Sequence, residues 1–496
     1  MRYILQNNKT TGRALYLSTL LLFAACSDQH EATVTLENAD PVATEATLAT
    51  GKAPRSDRDV FVHLFEWDWT SIARECEEFL GPAGYSAVQV SPPQEHAQGP
   101  QWYTRYQPVS YRLISRNGNR EEFVDMVERC AAVGVDIYVD AVINHMTGVR
   151  SDVSLIGTPF GEYDYPPLYN YDDFNHCGRN DNDDIVDFND VWEIQHCELV
   201  NLADLKTDKP KVQATLAAYL NDLLGIGVAG FRLDAAKHRP AADISAILSM
   251  LDGKPFVFQE VIAGIDGPLD RLEYANNAHV TEFQYLPPVH EAFTSGDLAG
   301  LQEIGPAIGL LPSDLSVVFV DNHDTQRHDD GHAFSFKMGE RYVLANVFML
   351  AWPYGYPKVM SSFEFDDTAQ GRPKTEPVTA GATQCNAGWV CEHRISAIAN
   401  MVAFRNATSG VPVTQWQQHK GAGISFGRGG KGHVVINAGD QPLTVDVRTD
   451  LPAGDYCNIL VSGAASTCES TVRVSDAGRF QAQLDPMAAL VLLRPL

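Results

Sequence analysis

The chain has 496 residues, 45% of them hydrophobic and 20% charged, with a formal net charge of −26. That composition suits a soluble globular protein of roughly two to four domains. The acidic excess excludes a nucleic-acid partner, because such a surface repels phosphates.

The first segment reads as a targeting sequence. Arg2, Lys9 and Arg13 form a basic region, followed by an apolar run from Ala14 to Ala25 that is too short for an ordinary membrane span. Residues 1–25 are therefore expected to be a signal peptide outside the fold. The run ends Leu22-Phe23-Ala24-Ala25-Cys26, small residues before a cysteine, which resembles a bacterial lipobox. On that reading Cys26 is lipidated and anchors the protein to a membrane, the outer one given Ser27. Free secretion is the alternative. Nine Cys minus Cys26 leave eight, an even set suited to disulfides in an oxidising compartment. Residues 26–58, rich in Ala, Thr and Glu without periodicity, read as a disordered tether.

From Asp59 onward, short Val/Ile/Phe-rich runs alternate with longer amphipathic segments, the pattern of an α/β fold. Eight strands are expected: Val60–Phe65, Ala87–Ser91, Val135–Val142, Val228–Leu233, Pro255–Gln259, Val280–Phe283, Val317–Val320 and Lys358–Met360. Several end in residues that a plain core strand does not want: Glu66-Trp67, Asp140 with Asn144-His145, Arg232 with Asp234 and His238, Glu260, and Asn322-His323-Asp324. Eight such strands predict a (β/α)8 barrel, whose strand ends converge on one C-terminal face where active sites are built. The barrel is expected over residues 59–145 and 202–406. Between them, residues 146–201 are dense in Asp, Asn, Tyr and Pro and too long for a bare loop, so they predict a small inserted domain. Its run of Asp172, Asp173, Asp181, Asp183 and Asp184 fits a cation site or a solvated acidic loop. Residues 407–496, with Gly-rich turns between short alternating strands such as His433–Asn437 and Leu443–Val447, predict an antiparallel β-sandwich.

Three carboxylic acids stand at three strand ends, Asp234, Glu260 and Asp324. Hydrolysis of an acetal needs one acid to protonate the leaving oxygen and a second carboxylate to attack the anomeric carbon or activate water. A third close by binds sugar hydroxyls and raises the pKa of the acid by like-charge repulsion. Phosphoryl transfer is disfavoured, because no Gly-rich phosphate loop with its Lys is present.

The motifs Asp140-Ala-Val-Ile-Asn144-His145, Gly230-Phe-Arg-Leu-Asp234-Ala-Ala-Lys-His238, Phe258-Gln-Glu260-Val and Phe319-Val-Asp-Asn322-His323-Asp324 resemble, in order, the four signature regions of the α-amylase clan of retaining glycoside hydrolases. Trp102-Tyr103, Arg105-Tyr106-Gln107-Pro108, Thr281-Glu282-Phe283 and Met401-Val-Ala-Phe-Arg405 are similar to the animal-type members. The resemblance spans residues 59 to 496. It implies endo-acting hydrolysis of internal α-1,4-glucosidic bonds in starch-type glucans with retention. It also implies Asp234 as nucleophile, Glu260 as general acid/base and Asp324 as the third carboxylate. A maltooligosaccharide-forming or transglycosylating relative is the same-class alternative, and a silent glucan-binding surface protein the different-class one.

By the same resemblance, Trp102, Tyr103, Tyr106, Gln107, His145, Arg232, Lys237, His238, Glu282 and His323 bind substrate. A structural Ca²⁺ is expected on Asn144, Asp204, Gln195 and the backbone carbonyl of His238, an all-oxygen set. Arg232 and Asn322 match two ligands of an activating chloride. The third, a basic residue, falls on Glu340 when Tyr342 and Phe348 are held in register, and a carboxylate there would repel an anion. Disulfides are implied as Cys76–Cys130, Cys177–Cys197, Cys385–Cys391 and Cys457–Cys468. The partners expected are an α-glucan and, through Cys26, a membrane, with the chain acting as a monomer.

Overall fold

The computed structural model of the protein describes residues 57–327, 333–463, 468 and 471–495. The expected signal peptide, the lipidation position Cys26 and all but the last two residues of the tether lie outside the described residues.

Eight parallel strands close into a barrel: Phe61–Leu64, Ala87–Val90, Asp136–Ala141, Gly230–Leu233, Phe256–Gln259, His279–Thr281, Ser316–Val318 and Tyr356–Ser361. They neighbour one another in sequence order, and the eighth pairs back onto the first, with Phe61 opposite Lys358 and Leu64 opposite Ser361. All eight expected strands are present. The sixth is shorter than its apolar run, because the chain already winds into a 3₁₀ turn at Phe283–Tyr285, where the Glu282 carboxylate accepts the Gln284 amide.

Side chains fill the barrel rather than leaving a pore. Phe61, Ala87, Tyr138, Phe256, Phe258, Val317 and Tyr356 form a separate, largely aromatic buried cluster. At Gly230 a β-carbon would stand 2.4 Å from the Phe256 carbonyl and 2.7 Å from the Tyr138 ring, so only glycine lets the third, fourth and fifth strands approach this closely.

The segment after the third strand leaves the barrel and returns beside its own start. Backbone bonds from Met146 to Ala203 and from Leu205 to Asn144 close it at the neck. It holds a hairpin (Ser151–Val153 with Pro159–Gly161), the helix Val191–His196 and the Cys177–Cys197 disulfide. Of its acidic run, Asp173 is buried and paired with Lys209 and Lys211. Among the described residues no group of three or more His, Cys, Asp or Glu is arranged to hold a metal. Asp172 and Asp181 are exposed, and Asp183 and Asp184 are half-buried.

After the helix Ser396–Thr408 the chain forms antiparallel sheets. Four strands run in the order Val413–His419, Gly423–Arg428, Gly432–Asn437, Ala488–Leu493, beside two strand pairs. Leu443–Arg448 alternates buried and exposed residues, with Leu443, Val445 and Val447 facing a core shared with Phe480 and Leu484. All four expected disulfides are present.

Candidate active site

The fourth strand delivers Arg232 and Asp234 to the same side two residues apart, as strand alternation requires. The chain then turns through Ala235, a non-glycine residue at φ 49°. The turn is held by hydrogen bonds across the strand ends: the Asp234 amide donates to the Ala141 carbonyl, and the Glu260 amide to that of Leu233. Arg232 lies almost wholly buried among three carboxylates. One terminal nitrogen reaches Asp140 at 2.5 Å and Asp234 at 2.8 Å, and the other stands 2.9 Å from Glu260. The second Glu260 oxygen accepts the Ala235 amide at 2.8 Å.

Three acids around one base leave excess negative charge. Burial pushes the Asp234 carboxyl well above the usual range, with Glu260 and Asp140 adding to the effect and Arg232 opposing it. Asp140 is raised by burial against the pull of the same guanidinium and of the Tyr106 hydroxyl. The cluster thus titrates as a unit and retains a proton that isolated carboxylates would release.

Asp324 follows the seventh strand. The Asn322 side-chain oxygen accepts the amides of Asp324 (3.0 Å) and Thr325 (2.7 Å), which fixes the turn carrying the carboxylate. Burial and the Glu260 charge push Asp324 up to about 7, although a fifth of its side chain still meets the cleft. Its neighbour His323 stacks between Tyr106 and Phe65, at 5.1 and 5.0 Å between ring centres, and burial lowers its basicity. His145 is also buried and pushed down to about 4, its Nε2 donating to the Tyr106 carbonyl.

The aromatic residues share one 3₁₀ turn, Trp102–Tyr106. The Tyr106 hydroxyl donates to Asp140 at 2.9 Å, Trp102 meets His323 edge to face, and Tyr103 is half-buried. Gln107, just beyond, accepts the Gly148 amide at the start of the inserted segment. Lys237 donates to the Ile262 carbonyl, and the His238 ring to that of Ile194. Glu282 does not join the site. It is fully buried, and its oxygens are taken by Arg271 and by the amides of Gln284 and Leu311, so it braces the sixth strand instead of meeting substrate.

Two buried basic residues beneath the carboxylates were not singled out from sequence. Lys358, on the eighth strand, reaches Gln89, which in turn donates to Asp140. Burial, reinforced by repulsion from Arg232, pushes its amine down to about 7. His63, on the first strand, is fully buried with neither ring nitrogen hydrogen-bonded. The signal for both was a polar residue inside an otherwise apolar strand, Phe-Val-His-Leu and Tyr-Pro-Lys-Val. The register that placed Glu340 beside Arg232 is corrected: Glu340 opens the helix Glu340–Ala351 and is exposed, and the buried strand cation that Arg232 repels is Lys358.

The expected calcium ligands gather in part at the neck of the insert. Asn144 and Asp204 are buried and in contact at 3.2 Å, and Asn175 donates to the other Asp204 oxygen at 2.8 Å. The Asn144 side-chain oxygen is buried without a partner. A lone buried amide oxygen beside a buried carboxylate fits a hard cation. The Gln195 side chain turns elsewhere, its amide donating to the Tyr274 hydroxyl, which leaves its backbone carbonyl for such a role.

Comparison with known proteins places these features in context. The family description "Alpha amylase, catalytic domain" matches residues 79–256, and "Alpha amylase, C-terminal all-beta domain" matches residues 416–494. An α-amylase of Thermomonospora curvata is 46% identical over 471 residues, covering 90% of this chain and 75% of that protein. Pancreatic alpha-amylase 2a5 of Mus musculus is 42% identical, covering 81% and 87%. The crystal structure of α-amylase I from Eisenia fetida superposes with a TM-score of 0.84 at 34% identity, covering 90% of this chain and 99% of that one. A Glu-to-Gln variant of the earthworm enzyme, solved with maltohexaose, matches equally well.

The Asp324 environment makes a prediction for stability. A carboxyl held at about 7 rather than 3.8 binds a proton in the folded protein that the unfolded chain releases. The cost of ionising it in place therefore grows as pH rises between those values and is absent below them. Asp324→Asn is expected to melt a few degrees above the parent at about pH 8 and level with it near pH 4. Melting curves that differ equally at both pH values would remove the raised pKa.

Proposed function

This chain belongs to the α-amylase family of glycoside hydrolases, and from that premise we propose an endo-acting α-amylase that cleaves internal α-1,4-glucosidic bonds of starch-type glucans with retention. The observation that carries the reading is the single Arg232 guanidinium touching both Asp234 and Glu260. One guanidinium can span two carboxylates only when they lie close together, and a close pair is the arrangement that retaining glycosidases use. Asp234, aimed by Arg232, attacks the anomeric carbon. Glu260 gives its proton to the leaving oxygen and then takes one from the incoming water. Asp324 holds sugar hydroxyls beside the reacting pair. Trp102, Tyr103 and Tyr106 supply rigid aromatic faces to the glucan, with His145 and His323 beside the bond cleaved.

We further propose a calcium ion held by Asn144, Asp204 and backbone carbonyls of Gln195 and His238. When bound, the ion ties the insert to the barrel beside the third strand and takes no part in bond cleavage. Chloride binding is also proposed. Arg232 and Lys358 are two buried cations that repel one another, and Asn322 follows the seventh strand. An anion between two such cations offsets that repulsion and competes with the carboxylates for Arg232. Four disulfides suit export to an oxidising compartment. Anchoring through a lipidated Cys26 is proposed as the route by which the enzyme stays at the cell surface.

Reducing-sugar release from soluble starch tests the activity. Glu260→Gln is expected to lower kcat by about 10²–10⁴ while the protein stays folded, and parent activity is expected to rise when chloride is added. Near-parent turnover in the variant would remove Glu260 from acid/base work, and indifference to chloride would remove the anion.

Chelation is expected to lower the melting temperature of the parent and to leave an Asn144→Ala, Asp204→Ala double variant unchanged, because a ligand bound only by the folded state stabilises it. Equal shifts in both proteins would place calcium elsewhere.

Cys26→Ser is expected to move the protein from the membrane to the soluble fraction on cell fractionation. Continued membrane association would rule out the lipid anchor.

A further inference from the structure

The chain leaves the first barrel strand through Glu66, a fully buried carboxylate at φ 64°, a left-handed conformation that non-glycine residues avoid. Nothing in the proposed chemistry uses this residue. Its surroundings are unusual, because three arginines converge on it. Arg105 pairs with one carboxylate oxygen at 3.3 Å with both side chains fully buried, and Arg116 stands 3.7 Å from the other. Arg372 donates to the Glu66 backbone carbonyl at 3.2 Å and to that of Arg116 at 3.1 Å. Arg372 has Asp68 at 4.0 Å, which leaves Glu66 as the carboxylate for Arg105 and Arg116. Burial, with smaller repulsion from Arg116 and Arg372, makes the Arg105 charge harder to hold, and Glu66 offsets it.

These arginines grip the turn that carries the aromatic residues. Arg105 belongs to it and also donates to the Pro92 carbonyl, while Gln94 donates to the Arg105 carbonyl. Arg116 donates to the Gln101 carbonyl at 3.0 Å and to the Thr104 hydroxyl. The loop bearing Arg372 meets the same turn, where the Trp102 indole donates to the Thr368 carbonyl at 2.8 Å. The geometry points to Glu66 as a positioning residue for glucan binding: through Arg105 and Arg116 it fixes the turn 102–106 against the first strand and so sets affinity for sugar without touching it. Strain at the strand exit persists because the buried ion pairs determine the conformation. The inference rests on the reading of Trp102, Tyr103 and Tyr106 as sugar-binding.

Steady-state kinetics on a maltooligosaccharide test it. Glu66→Gln keeps the shape and removes the charge, and KM is expected to rise about five- to tenfold with kcat within about twofold and an unchanged pH profile. Arg116→Gln spares the Glu66–Arg105 pair and decides the matter if the first variant does not fold, with KM expected to rise about threefold. Unchanged KM in the folded variants, or a fall confined to kcat, would overturn the inference. Trp102→Ala serves as control: if its KM equals that of the parent, the sugar-binding reading of the turn fails, and the Glu66 inference falls with it for that separate reason.

Discussion

The constraint on which the site depends is the shortage of positive charge around Arg232. A single guanidinium, 1% exposed, faces Asp140, Asp234 and Glu260, and charges withdrawn from water in this way are costly unless every contact is made. The surrounding residues compensate. Tyr106 donates to Asp140, Gln89 donates to it as well, and the Ala235 amide donates to Glu260. Each of these comes from a different strand end or turn, so the electrostatics of the cluster and the closure of the barrel are one problem. Burial raises both Asp234 and Asp140, so a cluster with one cation too few holds a proton where an evenly paired cluster would not.

The barrel interior is graded to make that possible. Its floor is aromatic, with Phe61, Tyr138, Phe256 and Tyr356 in mutual contact. These rings keep water from the base of the site and lower the local dielectric, which strengthens every ion pair above them. Next comes a polar layer of Gln89, Asp140, Arg232 and Lys358, followed by the carboxylates at the strand ends. Lys358 matters through position: it is a second cation held near Arg232 but joined to Asp140 only through Gln89. It therefore tunes the field at the cluster without quenching it.

Strand identity and the carboxylates were legible in the sequence because their signal is local. An apolar run that ends in charge marks both the strand and the site, and Arg232, Asp234, Glu260 and Asp324 each stand at such an end. Residues whose role depends on facing direction were not. Lys358 lay in a recognised strand, but only barrel closure against the first strand turns its side chain toward Arg232, and aligning Glu340 by its helical neighbours missed it. The motif Thr281-Glu282-Phe283 implies a substrate-binding acid at Glu282. The buried partner that makes it structural, Arg271, lies in the helix Arg271–Ala275 ahead of the sixth strand, and no spacing rule connects them.

The backbone carries the same logic. Glu66 and Ala235 are non-glycine residues at positive φ, and each stands two positions beyond the end of a barrel strand. A left-handed residue there redirects the chain sharply, which lets the residues just before it stay in the strand while those just after it turn across the barrel mouth. At Ala235 the turned amide becomes the donor to Glu260, so the strained residue itself furnishes part of the site. At Glu66 the strained residue furnishes a carboxylate instead, paired with Arg105 of the aromatic turn and with Arg116. Strain of this kind survives only where several independent contacts over-determine it. The two exits thus divide the labour of the C-terminal face: one fixes the groups that react, and the other fixes the groups that hold the sugar in front of them.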